Sequence, residues 1–229
     1  MTMVDRTIYW KKHFVALFIT IILFVIGLLI GLKVSDTRLI TLQEFNEQQK
    51  ADFESLQLQY AYLTTSNGSC VVFKKALDQS VDNLETARIK LESYMQASTN
   101  PENFISQKRS YMLAEIRYWL LTRETRKACG KDSVDVLFFY QDDENCQKCS
   151  TQGYILTSLK DTFKDKLLIF SLDASSEEPM VSIIKNVYNV TSTPSVVVDG
   201  QVIDHFTEEG ELHNAICTKF NHAPDVCNE

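Results

Sequence analysis

Two cysteines three residues apart, Cys146 and Cys149, lie where an apolar run ends and a helical pattern begins. The run before them, residues 134–140, reads VDVLFFY and is typical of a buried strand. Apolar side chains in residues 154–159 recur at the spacing of one helical face. Two thiols at such a junction can close a disulfide across the first helical turn. The N–H groups and the dipole at the same helix end stabilise a thiolate. The pattern therefore predicts a strand that delivers a redox-capable pair to the start of a helix.

Zinc sites use the same cysteine spacing, so the residues downstream must decide between the two chemistries. The pattern there predicts a strand in residues 167–173 and a helix in residues 177–188. A hairpin with a tight Asp199-Gly200 turn follows in residues 193–206, and a last amphipathic helix in residues 208 to about 220. The four histidines of the chain show no ligand spacing with the cysteines. A zinc ion at Cys146 and Cys149 would need two further ligands, so we expect neither a metal nor an organic cofactor.

This order of elements, from about residue 133 to residue 220, resembles the thioredoxin superfamily. The motifs that carry the resemblance are Cys146-Gln147-Lys148-Cys149 and Thr193-Pro194. The resemblance implies an α/β fold with a mixed central sheet flanked by helices. It also implies that Pro194 is cis and adjoins the disulfide, and that the backbone of Thr193 pairs with a substrate peptide.

The sequence departs from the thioredoxin pattern near the cysteines. No tryptophan precedes Cys146, and Phe139 or Tyr140 stands where thioredoxin has a buried aspartate. The intervening dipeptide is Gln147-Lys148. These differences leave the redox direction open.

An uncharged apolar stretch covers residues 14–32. As a helix it would span roughly 28 Å, enough for a hydrocarbon core, which predicts a transmembrane signal-anchor. A cleaved signal peptide is the alternative, but the run is longer than a usual h-region and lacks a small-x-small cleavage site. Three basic residues precede the stretch and two follow closely, at positions 6, 11, 12, 33 and 38. The positive-inside rule then predicts a single-pass cell-membrane protein with a cytoplasmic tail, residues 1–13, and an extracytoplasmic C-terminal domain.

Residues 33–130 contain almost no glycine or proline and show apolar side chains at 3-4 spacing. We expect about three coiled-coil-like helices there, followed by a thioredoxin-like domain in residues 131–229. The third helix could equally be the first helix of the thioredoxin-like layer. The apolar stripes predict core packing, with a dimer seam or a partner-binding face as the alternative.

Four further cysteines allow three connectivities, and an even number suits an oxidising compartment. Cys70 opens the second predicted helix and Cys129 ends the third, so antiparallel helices would bring them together. Cys217 and Cys227 flank a segment containing Pro224, where the chain can turn back. We therefore expect Cys70–Cys129 and Cys217–Cys227 disulfides, against the alternative of four buried thiols.

A net charge of −7 argues against a nucleic-acid partner. The sequence predicts a thiol–disulfide oxidoreductase in which Cys146 is the nucleophile and Cys149 resolves the mixed disulfide. Its predicted partners are protein thiols or disulfides, a redox partner protein, and the membrane through residues 14–32. The alternative is a non-catalytic thioredoxin-like adaptor whose helical region binds a protein partner. Use of the Asn67 and Asn189 glycosylation sequons stays open.

Overall fold

The computed structural model of the chain describes residues 15, 17–28, 58, 62, 69–97, 101–142 and 144–228. The chain divides into two compact units, residues 1–64 and 65–229. The described residues of the first unit are helical. Most of the first predicted helix of the 33–130 region, the tail 1–13 and the Asn67 sequon lie outside the described residues.

The predicted transmembrane helix over residues 14–32 is wrong. No helix in the described part of the chain has both the length and the apolar character needed to cross a bilayer. Of that stretch, residues 15 and 17–28 are described and helical. The predictions that depended on this helix fail with it: the signal-anchor, the single-pass cell-membrane location and the extracytoplasmic placement.

Two long helices open the second unit, α1 over Cys70–Ala97 and α2 over Pro101–Cys129. Pro101 starts α2, where its fixed φ suits the first helical turn. Gly130 follows the last residue of α2 at φ +65°, a backbone conformation that favours glycine at a helix end. The two helices pack against each other as a hairpin. A disulfide between Cys70 and Cys129, with Cα atoms 5.0 Å apart, joins the start of α1 to the end of α2.

A four-stranded mixed sheet follows, in the order β2-β1-β3-β4. Its strands are β1 (Val134–Tyr140), β2 (Leu167–Asp173), β3 (Ser195–Val198) and β4 (Gln201–Ile203). β1 is parallel to β2 and antiparallel to β3, and β3 is antiparallel to β4. Asp199 and Gly200 both have positive φ, as a two-residue hairpin turn between β3 and β4 requires. The sheet and its hairpin have the mixed α/β character that the sequence predicts.

Helices cover both faces of this sheet, so each face has its own core. On one face lie α3 (Cys149–Phe163) and α5 (Glu209–Cys217). On the other lie α2 and α4 (Pro179–Val187). Central strand β1 supplies both, because its side chains alternate: Phe138 belongs to the first core and Phe139 to the second.

Helix α2 serves the sheet as well as the helical hairpin. Met112, Ile116 and Trp119 are buried in the core that it shares with α4. The third predicted helix of the 33–130 region therefore also packs as a helix of the layer that covers the sheet, which is the alternative that the sequence left open. The division between a helical region ending at residue 130 and a domain beginning at residue 131 stays a prediction.

Candidate redox site

The turn between β1 and α3 carries the cysteine pair. Asn145 and Cys146 donate their N–H groups to the carbonyl oxygen of Asp142, at 2.8 and 2.9 Å. The Cys149 N–H donates to the Cys146 carbonyl oxygen at 3.2 Å, and α3 begins at Cys149. The two sulfurs form a disulfide across this turn, with Cα atoms 5.4 Å apart. Cys146 therefore precedes the helix, and Cys149 is its first residue.

The two cysteines are almost equally buried, at 4% and 3% exposure, but their surroundings differ. Cys146 lines an open groove of about 480 Å³. Cys149 is not among the described residues that line this groove, and its sulfur accepts a hydrogen bond from the Gln141 N–H at 3.5 Å. Cys146 is thus the cysteine on the groove side of the disulfide.

Thr193 and Pro194 line the same groove, although they are far from the cysteines in sequence. The peptide bond between them is cis. The Thr193 hydroxyl donates to the side-chain oxygen of Gln141 at 2.9 Å, which ties this loop to the segment after β1. The structure therefore brings all four residues of the predicted catalytic and substrate-binding set into one region.

Asp204 holds the loop that carries Thr193 and Pro194. Its carboxylate accepts hydrogen bonds from the hydroxyl and N–H of Thr191, the N–H of Ser192 and the hydroxyl of Ser195. Partial burial opposes ionisation, but these donors outweigh it and lower the pKa of Asp204 to about 2. The loop is therefore pinned by a carboxylate that stays charged at neutral pH.

The groove is mixed in character. Lys148 lies with its ammonium 4.7 Å from the centre of the Phe206 ring, a cation–π contact, and both residues line the groove. Glu144 adds an acidic side chain to the same lining. Phe206 lies in a loop after β4, although the sequence predicts a hairpin that extends to residue 206. The groove therefore offers an apolar ring and both signs of charge around Cys146.

A buried glutamine joins the cysteine helix to the loop that carries Phe206. Gln152 is fully buried, its amide donates to the Thr207 carbonyl oxygen at 3.2 Å, and its side-chain oxygen accepts from the Thr207 N–H at 2.9 Å. The pair satisfies both backbone groups of Thr207 and so fixes Phe206 beside α3.

The remaining cysteines lie away from the groove in sequence and form two further disulfides, Cys70–Cys129 and Cys217–Cys227. Among the described residues, no group of three or more histidine, cysteine or acidic side chains is placed to hold a metal ion.

Sequence reasoning missed four residues that shape the site: Gln141, Gln152, Asp204 and Phe206. A weak signal existed for Gln152, a polar side chain one turn after Cys149 in an otherwise apolar helical face. The other three act through contacts with residues distant in sequence, which local patterns do not encode.

No family model and no curated protein matches the sequence. Solved structures that resemble it include a thioredoxin-2 described as a component of malaria parasite protein secretion machinery. It is 22% identical over 36% of this chain and 79% of that chain, with a TM-score of 0.30. The thioredoxin Mala s 13 of Malassezia sympodialis is 24% identical over 42% of this chain and 84% of its own, with a TM-score of 0.32. Deadhead, a germline-specific thioredoxin from Drosophila melanogaster, is 21% identical over 43% and 92%, also with a TM-score of 0.32.

The class of fold follows from the chain's own geometry. A central strand leads through Cys146 and Cys149 into a helix, and the cis Thr193-Pro194 segment lines the same groove as Cys146. With the β2-β1-β3-β4 sheet, this is a thioredoxin-like fold.

Proposed function

We propose that the protein is a thiol–disulfide oxidoreductase that exchanges disulfides with protein substrates through Cys146 and Cys149. The observation that carries the proposal is the asymmetry of the pair. Cys146 lines the open groove, whereas the Cys149 sulfur is held by the Gln141 N–H and is outside the described groove lining. An outer attacking sulfur and an inner resolving sulfur are what a two-step exchange needs.

In the reducing direction, the Cys146 thiolate attacks one sulfur of a substrate disulfide. The substrate S–S bond breaks, a mixed disulfide forms on Cys146, and the second substrate sulfur leaves as a thiolate that takes a proton from water. Cys149 then loses its proton and attacks the Cys146 sulfur, which closes the Cys146–Cys149 bond and releases the first substrate sulfur. Two electrons pass from the cysteine pair to the substrate, and the oxidising direction is the reverse.

The groove supplies the binding surface for this exchange. We propose that a substrate peptide lies between Cys146 and the Thr193-Pro194 bond, with the Thr193 backbone pairing with it. The chemistry needs no organic cofactor or metal, because the electrons come from the thiols themselves. A redox partner protein would return Cys146 and Cys149 to their starting state.

The test compares Cys146→Ser and Cys149→Ser in the full-length protein, by insulin reduction and by trapping of mixed disulfides. We expect Cys146→Ser to abolish exchange and Cys149→Ser to accumulate substrate adducts on Cys146. Thr151→Ser, at an exposed position of the same helix, is the matched control and should keep full activity. Equal alkylation rates for the two reduced thiols, with no adduct on Cys149→Ser, would contradict the division of roles. Absence of turnover in the unmodified protein would favour the non-catalytic adaptor instead.

A further inference from the structure

The Cys217–Cys227 disulfide has a histidine beside it. It joins the last residue of α5 to a 3₁₀ turn, Asp225–Cys227, near the end of the chain. The His213 Nδ1 atom lies 3.9 Å from the Cys217 sulfur, and its Nε2 atom lies 3.0 Å from the Val226 carbonyl oxygen. His213 and both cysteines are half-buried, so the group is within reach of small molecules.

The hydrogen bond to Val226 determines which ring nitrogen carries the proton. A carbonyl oxygen can only accept, so Nε2 must be the donor. In the neutral ring, Nδ1 then presents its lone pair towards the Cys217 sulfur. An imidazole oriented in this way beside a sulfur can take up a proton and then pair with a thiolate formed at that sulfur.

Helix α5 itself places His213 beside the Cys217 sulfur. His213 and Cys217 are four residues apart on α5, so they are neighbours on the same helical face whether or not the disulfide is closed. Cys227 reaches the same place from the tail, through the 3₁₀ turn. An imidazolium next to Cys217 stabilises its thiolate, and a stabilised thiolate is the better leaving group in disulfide exchange.

We propose that Cys217–Cys227 is a second thiol-reactive site, opened by low-molecular-weight thiols, in which Cys227 is the sulfur attacked and Cys217 the leaving thiolate. The incoming thiol reacts as its thiolate, whose proton passes through water to His213, and bonds through sulfur to Cys227. The Cys217–Cys227 bond breaks, and its electron pair stays on Cys217 as a thiolate paired with the His213 imidazolium. A second thiol molecule then attacks the mixed disulfide, releases the small-molecule disulfide and leaves Cys227 reduced.

This site is separate from the groove. The His213 ring contacts Phe163, the last residue of α3, with ring centres 5.2 Å apart. Cys149 begins that helix, so roughly 20 Å of helix separates the two ends. The proposal therefore does not rest on the function proposed for Cys146 and Cys149.

Opening the bond would loosen the end of the chain. Val226 and Cys227 pack against the core that α3 and α5 share, and the disulfide ties them to α5. Modification of Cys227 by a thiol would therefore remove the covalent link between the C-terminal segment and α5.

The experiment uses the full-length chain with Cys146→Ser and Cys149→Ser, so that only the other two disulfides can react. The protein is treated with reduced glutathione, quenched with acid and N-ethylmaleimide, and mapped by mass spectrometry over time. We expect glutathione on Cys227 and N-ethylmaleimide on Cys217 in the first species formed. Glutathione on Cys217, or on both cysteines equally, would overturn the proposal.

His213→Gln in the same background tests the base, because glutamine can still donate to the Val226 carbonyl but cannot take up the proton. We expect the substitution to slow opening of the Cys217–Cys227 disulfide at least tenfold. A positioned acid–base group commonly contributes a hundredfold or more, so tenfold is the smallest effect consistent with the role of His213. The Cys70–Cys129 disulfide in the same molecule is the internal control, and its rate should not change. An unchanged opening rate in His213→Gln would refute the role of the base. If the His213→Gln variant does not fold, the proposal is judged by which cysteine carries the first glutathione in the protein that retains His213.

Discussion

Glu115 is a buried acid whose hydrogen-bond partners among the described residues are uncharged. Its side chain is 5% exposed on α2. One carboxyl oxygen accepts from the Tyr111 hydroxyl at 3.1 Å and from the Ser171 N–H at 3.5 Å. The other oxygen has no hydrogen-bond partner among the described residues. Burial raises the pKa of Glu115 to about 7, although both hydrogen bonds lower it. The folded protein therefore holds a proton here that the unfolded chain releases near pH 4.5.

This proton makes stability fall as the pH rises from about 4.5 to about 7, because the folded state binds more protons than the unfolded state in that window. Glu115→Gln keeps the shape of the protonated acid and removes the titration. We expect the free energy of unfolding at pH 8 to exceed that of the unmodified protein by up to about 3 kcal/mol, and the two to agree near pH 4. Urea unfolding between pH 4 and pH 8 measures the difference.

Glu124→Gln, at an exposed position of the same helix, is the matched control and should follow the unmodified protein. Burial also raises the pKa of Asp135, to about 6, but that group contributes equally to all three proteins. Parallel stability curves for Glu115→Gln and the unmodified protein would show that Glu115 does not carry the proton.

At the scale of elements, the α1–α2 hairpin depends on its cross-link. Phe73 and Ser80 are buried on α1, while several of its large apolar side chains, such as Val71 and Ile89, remain exposed. The Cys70–Cys129 disulfide joins the ends of the hairpin nearest to β1, across a sequence separation of 59. Closing such a loop restricts the unfolded chain strongly, and the effect grows with loop length.

We therefore expect Cys70→Ala with Cys129→Ala to lower the free energy of unfolding by about 4 kcal/mol. The matched pair, Cys217→Ala with Cys227→Ala, opens a loop with a separation of 10 and should cost less, about 3 kcal/mol. Urea unfolding without reductant measures both. A larger loss from the shorter loop would mean that native contacts, rather than chain entropy, dominate at these cysteines.

At the scale of the whole second unit, the two cores are joined through β1. Leu156 lies in the core under α3, and Trp119 lies in the core under α2. Adjacent residues of β1 enter opposite cores, so loss of packing on one face alters the strand that supports the other. We infer that both faces unfold in one cooperative transition.

Leu156→Ala tests this coupling, since it removes buried volume on the α3 face only and should cost about 2–5 kcal/mol. In a Trp10→Phe background, Trp119 is the only tryptophan and reports on the opposite face. We expect urea transitions followed by Trp119 fluorescence and by far-UV circular dichroism to shift together. Tyr154→Ala, exposed on the same helix, should shift neither by more than about 0.5 kcal/mol. A Trp119 transition that stays in place while the dichroism shifts would show that the faces unfold separately.

Local patterns predicted the elements that build the redox site. The apolar runs 134–140 and 167–173 match β1 and β2 residue for residue, because strands of a sheet covered by helices on both faces carry apolar side chains on both faces. Asp199-Gly200 predicted its turn, because few other residues accept two successive positive φ values. Helix ends are harder to predict from local patterns: the sequence predicts a last helix to about residue 220, but the helix ends at Cys217.

The apolar stretch 14–32 shows where composition misleads. Its prediction depended on hydropathy alone, and no helix in the described part of the chain is both long and apolar enough for a span.

Periodicity and near neighbours in the chain were enough to predict the strands, the turn and the position of Cys146 and Cys149. Three features became visible only in the folded chain: the Gln141 N–H bound to the Cys149 sulfur, the pairing of Gln152 with Thr207 across 55 residues, and the burial of Glu115. Such contacts join residues on different elements, whose approach depends on how helices pack on the sheet rather than on any local pattern.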